Sequence, residues 1–384
     1  MNRWSSIKQN ISKVKDISTI GLSNIVGTGI SATFWLFIAS SIGPEQYGEI
    51  HYFLGIAGIG QIFSLIATSN TMTVYSAKND KIQSTLFVIS LVIGLVSSII
   101  IFLVYQKLDV SLLVFGYIIF EAINAVMLGR KQFTKYAKFI LLQKFLTLFI
   151  GFGFYFLFNA EWIIFALVLT YIPYVPLLVK EIKKYKIDLS LLIPKKKYII
   201  NNYAIDISES FAGQFDKILI APLLGFVLLG NYVLSIQFFM ILMMLPYVFY
   251  KYILPLDSSQ KETAKIRKAG TLLSVGICMI GIFVLSDILP ITFPEFSEIK
   301  NAMGIMSFAV IPATVALLFK SKLLAIEKNK HLLVSKILGT STLIIGFIIF
   351  GPIYGIIGLS VVFVFSYMIE ALIVVIIFKK EKLS

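Results

Sequence analysis

Residues 181–197 read EIKKYKIDLSLLIPKKK, the longest polar interruption in a chain otherwise made of apolar runs. Six runs precede it, at 17–38, 50–70, 84–105, 110–128, 136–157 and 162–179. Six follow, at 203–224, 232–252, 269–289, 299–319, 332–350 and 354–378. Each is near the roughly 20 residues an α-helix needs to cross bilayer hydrocarbon. The pattern predicts an all-α integral membrane protein of about twelve transmembrane helices, in two six-helix halves around a central cavity. The halves are residues 1–182 and 199–384, and 183–198 is a basic cytoplasmic linker.

Twelve spans of about 20 residues occupy about 240 positions, and the rest of a 384-residue chain leaves no room for a large soluble domain. Hydrophobic residues make up 58% and charged residues 14%, against roughly 25% charged in soluble proteins. With a mean hydropathy of +0.89, this excludes a soluble enzyme, a disordered chain and a DNA-binding domain. A net charge of +14 could suggest nucleic acid, but 29 of the 34 lysines and arginines fall in or at the edges of alternate connections and at both ends. Positive loops are retained on the cytoplasmic side. The expectation is a multi-pass protein of the cytoplasmic (inner) membrane with both termini cytoplasmic, no nucleic-acid partner, and some attraction to anionic membrane lipids. The run at 17–38 is too long for a signal-peptide core and reads as a retained span. Residues 257–268, DSSQKETAKIRK, predict a short amphipathic cytoplasmic helix.

Gly43-Pro44-Glu45-Gln46-Tyr47-Gly48 closes the first run, and Gly225-Phe226-Val227-Leu228-Leu229-Gly230 closes the seventh. Both are G-x4-G, 182 residues apart. That shift also superposes runs one and two on seven and eight, the pattern of parallel six-helix repeats.

These residues carry a family resemblance as well. GTGISATFWLFIASSIGPEQYG, residues 27–48, resembles the first-span signature of polysaccharide exporters, an apolar helix ending in a G-P-x-x-Y/F-G turn. FDKILIAPLLGFVLLGNY, residues 215–232, is similar to the same family's seventh-span signature through Asp216, Lys217, Gly225, Gly230 and Tyr232. The resemblance points to the O-antigen flippase (Wzx-type) branch of the multidrug/oligosaccharidyl-lipid/polysaccharide exporter superfamily. It implies a MATE-like fold, movement of polyprenyl-diphosphate-linked glycans to the outer leaflet, no cofactor, and a glycan polymerase or other assembly proteins as partners.

Two histidines and one cysteine offer no metal cluster and no Cys/His dyad. There is no P-loop, and Gly151-Phe152-Gly153 reads as helix packing. Ionisable residues within a span are costly and are therefore functional candidates, weighed against structural pairing. Asp206, Glu209, Ser210, Gly213, Asp216 and Lys217 share one helical face, which reads as cavity lining. Lys217 would meet a phosphate, and Asp206 and Glu209 are coupling-ion candidates. Asp216 either contacts substrate or is neutralised by Lys217. Glu121 and Lys144 lie at similar depth and either pair or divide as coupling-ion and diphosphate sites. Glu370 is a further cation candidate, and Lys336 reads as snorkelling. Asn24, Gly27, Thr28 and Ser31 form a small polar stripe suited to close helix packing. In the resembled family that helix borders the cavity, which makes Asn24 and Thr28 substrate-binding candidates.

Three or more residues in from their ends, the spans hold five acids, Glu121, Asp206, Glu209, Asp216 and Glu370, against three lysines, Lys144, Lys217 and Lys336, whereas the resemblance implies a cationic cavity. Either edge residues such as Arg130, Lys135 and Lys138 dock the phosphate, or the acids are pump sites. The leading expectation is a non-enzymatic flippase for a lipid-linked oligosaccharide. The alternatives are a cation-coupled exporter of small amphipathic molecules and, less favoured, a membrane glycan polymerase, for which the short outer loops supply no arginine.

Overall fold

A computed structural model describes residues 3–66, 68–259, 262–325 and 329–383; the side chains of 3–18, 205, 208–212, 255, 258, 325, 329–330 and 381–383 lie outside the description. The described residues form helices and turns without a strand: α1 (Arg3–Ser64), α2 (Ser69–Ala77), α3 (Gln83–Tyr105), α4 (Leu108–Gly129), α5 (Phe133–Phe158), α6 (Ile163–Leu169), α7 (Val175–Ile182), α8 (Lys196–Leu224), α9 (Phe226–Leu242), α10 (Met244–Ser258), α11 (Ala264–Ile280), α12 (Ser286–Thr292), α13 (Ile299–Met306), α14 (Val310–Ala325) and α15 (Asn329–Leu383).

Eight stretches among the described residues are long and apolar enough to cross a bilayer, and the bent pair Phe226–Leu242 and Met244–Leu254 makes a ninth. Two of the eight, Thr19–Ser64 and His331–Lys380, have 46 and 50 residues. At about 1.5 Å per residue each is more than twice as long as a hydrocarbon core of about 30 Å. Each is broken by a glycine outside helical geometry, Gly43 at φ 70, ψ 175 and Gly355 at φ 56, ψ −134, and so supplies two crossings. α8 is long enough at 29 residues but too polar to count on composition, because it carries Asp206, Glu209, Asp216 and Lys217. Counted in this way, the described helices make twelve crossings.

Gly225, at φ 85, ψ 167, repeats the backbone of Gly43 182 residues later. That region is open essentially to glycine alone, so the two G-x4-G motifs begin with the same turn for the same steric reason.

The chain forms two compact units. The first comprises Met1–Phe37 and Phe53–Phe211, and its centre is α4, with 14 of 22 residues buried. A helix apolar all round is an interior helix. α3 instead leaves Leu95, Ile99 and Leu103 exposed as a lipid-facing stripe. Gly151 packs directly on the ring of Phe34, as expected of a packing glycine. The sixth crossing is interrupted by a 3-10 turn at Ile172–Tyr174, where Pro173 and Pro176 remove helix donors.

The second unit comprises Ile38–Tyr52 and Ala212–Ser384. Its core packs Tyr232 edge-to-face on Phe347 and Phe239 edge-to-face on Phe363, at centroid distances of 5.5 and 5.0 Å. A π-helical turn, Gly281–Leu285, follows α11 where Gly281 abuts Ser307. Among the described residues, no separate amphipathic helix is found over 257–268. α10 runs to Ser258 and α11 starts at Ala264, because Asp257 turns inward, both its carboxylate oxygens accepting from Arg267 Nη2 at 2.7 and 2.8 Å.

Candidate functional site

In the first unit the polar stripe of α1 faces α5. Asn24 Oδ1 accepts from the Tyr136 hydroxyl at 3.4 Å. Gly27 leaves room for the Lys144 stem, since a Cβ there would stand 3.3 Å from Lys144 Cγ. Thr28 donates to the Asn24 carbonyl at 2.8 Å and is exposed. Lys144 is half-buried, and its ammonium has no hydrogen bond or ion pair among the described residues. It does not pair with Glu121. That carboxylate takes a hydrogen bond from Ser69 instead and feels the charge of Asp206, whose Oδ1 accepts from Asn70 Nδ2 at 3.0 Å.

Ser69 and Asn70 open α2, whose N-cap is Thr68, accepting from the Thr71 amide at 3.3 Å. The second run therefore leaves the helix at Leu65 and restarts after Thr68 as a short helix whose first turn meets both acids. Thr68-Ser69-Asn70-Thr71 is a cluster of N-cap residues at the end of an apolar run, the local signal for a helix start. Reading the run as continuous missed it.

In the second unit Asp216 is buried; its Oδ2 accepts from the Tyr232 hydroxyl at 3.3 Å and its Oδ1 from the Lys217 backbone amide at 2.7 Å. The Lys217 ammonium turns back on its own helix, to the Gly213 carbonyl at 3.1 Å and Gln214 Oε1 at 3.0 Å. The two side chains make no direct hydrogen bond to each other, although each feels the other's charge. The polar face of α8 is divided: Asp206 belongs to the first unit, and Asp216 and Lys217 to the second. The side chains of Glu209 and Ser210 lie outside the described residues. Glu370 meets Lys336 at 3.4 Å, and that ammonium also lies 6.0 Å from the Tyr367 ring centroid. Lys336 therefore has an ionic partner.

Arg130, one of the expected edge cations, is already engaged. It donates to both Glu181 oxygens at 2.6 Å and to Gln83 Oε1 at 2.6 Å. Such a bidentate pair is strong and specific in geometry, and it removes Arg130 as a free phosphate donor. Lys135 lies over the Phe139 ring at 5.9 Å, and Lys138 is exposed. At the same end Lys195 pairs with Asp80. Burial alone would raise the Asp80 carboxyl, but Lys195, the Ile82 amide and Lys78 outweigh it and hold the group below its ordinary value of 3.8. No group of three histidines, cysteines or carboxylates able to hold a metal occurs among the described residues.

No protein-family model and no curated protein matches the chain. Solved structures do. The lipid II flippase MurJ in an inward closed conformation superposes with a TM-score of 0.81 at 12% identity, covering 94% of this chain and 87% of that one. An inward-facing multidrug resistance MATE transporter of the MOP superfamily gives 0.67 at 12% identity, covering 95% and 98%. The MATE multidrug transporter DinF-BH gives 0.66 at 13%, covering 96% and 94%. The chain is an all-α multi-pass membrane protein with the MATE-like transporter fold that these structures share.

Proposed function

We propose that the protein is a flippase that moves a polyprenyl-(di)phosphate-linked oligosaccharide from the cytoplasmic to the outer leaflet by alternating access, for cell-surface polysaccharide biosynthesis. The carrying observation is Lys144, an intramembrane cation without a partner among the described residues, held beside the small polar stripe of α1. An ion taken out of water without a partner costs several kcal/mol, so such a lysine is explained by an anionic ligand that completes it. Asn24, Thr28 and Tyr136 add amide and hydroxyl groups of the kind that bind sugar hydroxyls. Lys217 and Asp216 form a second polar position. The likeness to a lipid II flippase supports the reading.

In this reading residues 1–182 and 199–384 are the moving halves, joined by 183–198, with both termini cytoplasmic in the inner membrane. Glycan polymerase or other assembly proteins would take over the product. Protein groups replace water around the phosphate, because charge in bare hydrocarbon is strongly unfavourable.

A second reading is a cation-coupled exporter of small amphipathic molecules. It is favoured by Glu121, which has Ser69 and the field of Asp206 but no basic partner among the described residues, and by the likeness to multidrug transporters. The test is the sidedness of lipid-linked oligosaccharide in membranes with and without the protein, probed by an impermeant glycosidase. Loss of the protein should trap full-length glycolipid on the cytoplasmic face. Unchanged sidedness with lost dye efflux would favour the exporter.

A further inference from the structure

The connection between the sixth and seventh crossings is the least explained part of the surface. It leaves Ile187, Leu189 and Ile193 exposed at 49, 62 and 68%, although it lies outside the apolar runs. Lys183, Lys184, Lys186, Lys196 and Lys197 are exposed around them. The segment is nonetheless firmly placed against the first unit. Ser84 donates to the Glu181 carbonyl at 2.7 Å and accepts from the Tyr185 amide at 3.2 Å. Thr85 accepts from the Asp188 amide at 3.0 Å, Asp188 caps the 3-10 turn Leu189–Lys195 through the Ser190 amide at 2.9 Å, and Lys195 pairs with Asp80.

We propose that residues 183–197 form a docking element for anionic phospholipid headgroups, with Ile187, Leu189 and Ile193 entering the interface and the lysines binding phosphate. The segment lies between the end of α7 at Ile182 and the seventh apolar run, which begins at residue 203, and so borders the ends of two crossings. A cationic surface with apolar side chains between the charges is the composition of an interfacial element. Each lysine near an anionic surface strengthens docking about fivefold. Zwitterionic lipid supplies the hydrocarbon but no net negative charge, so docking depends on the anionic fraction.

The test uses the full-length protein with Cys278→Ser and Ile193→Cys, spin-labelled and reconstituted in vesicles of phosphatidylcholine alone or with about one quarter phosphatidylglycerol. Oxygen collisions report lipid, and a water-soluble nickel chelate reports solvent. The label should move from the chelate-accessible to the oxygen-accessible state when phosphatidylglycerol is present. Replacing Lys183, Lys184, Lys186 and Lys197 by Gln should reverse the shift, lowering the docked-to-undocked ratio about fivefold per charge. Helicity and thermal half-life of the variants show that they are folded. A label equally open to the chelate in both vesicles would overturn the proposal. A label closed to both reagents, in detergent as in vesicles, would overturn it in favour of a protein partner on this surface.

Discussion

Gly48 and Gly230 occupy reciprocal positions across the internal repeat. A Cβ on Gly48 would stand 2.0 Å from the Phe226 carbonyl oxygen, and one on Gly230 would stand 2.0 Å from the Pro44 carbonyl oxygen. Pro44 and Phe226 are themselves related by the 182-residue shift, so the two G-x4-G motifs pack against each other by equivalent atoms. Tyr47 and His51 continue the contact, with rings 4.5 Å apart and the Tyr47 hydroxyl bonded to Gln237. The adjoining connection between α12 and α13 closes over it, with Glu295 against Gly43 and the Glu298 amide donating to Asn231 at 3.2 Å.

The glycines permit that approach, so Gly48→Ala and Gly230→Ala should each shorten the thermal half-life of the purified protein, by an overpacking cost of about 1–3 kcal/mol. The clashing atoms are backbone and cannot rotate away. The two costs should be non-additive, because the first methyl already separates the surfaces. Gly29→Ala and Gly153→Ala, which meet nothing within 4 Å, should leave the half-life unchanged or lengthen it.

Arg267 and Asp257 should behave as a structural pair. Asp257 also accepts from Thr263 and Ser321, and Arg267 donates to the Leu318 carbonyl at 3.2 Å. Arg267→Met should cost about 3–5 kcal/mol by leaving a buried carboxylate unpaired, whereas Arg267→Met with Asp257→Leu should recover much of that loss. Thermal stability of the three proteins checks it.

Asp80 predicts a pH dependence for the hold on the linker. Its carboxyl is depressed in the folded protein, so its stabilisation is fully present above the unfolded value and is lost as pH falls through the folded one. Amide exchange across residues 183–195, corrected for intrinsic rate, should stay constant until the pH drops below 3.8. Asp80→Asn should show the faster exchange at every pH.

The sequence made the crossings and the repeat legible, because hydrophobic runs and a glycine-only turn are local properties. Gly43 and Gly225 were recognisable by spacing, and their shared backbone is the physical reason for that spacing. Partner choice was less legible. Arg130 reads as a loop cation until Glu181 and Gln83 are brought beside it. Glu121 and Lys144 match in depth, yet α2 restarts at Ser69 and supplies the carboxylate with a hydroxyl. Asp216 and Lys217 are adjacent in the chain, but adjacent helical side chains do not face each other, and each finds a different partner.

Lys144 separates transport from stability most directly. The decisive measurement is flipping of a fluorescent polyprenyl-diphosphate oligosaccharide in proteoliposomes, read by an impermeant quencher for the native protein and Lys144→Gln. The account predicts flipping by the native protein and its loss, by tenfold or more if about 1.4 kcal/mol of phosphate binding disappears, in a variant of equal or greater thermal stability. Equal flipping by the two proteins, or none by a native protein that exports a cationic dye, would contradict it.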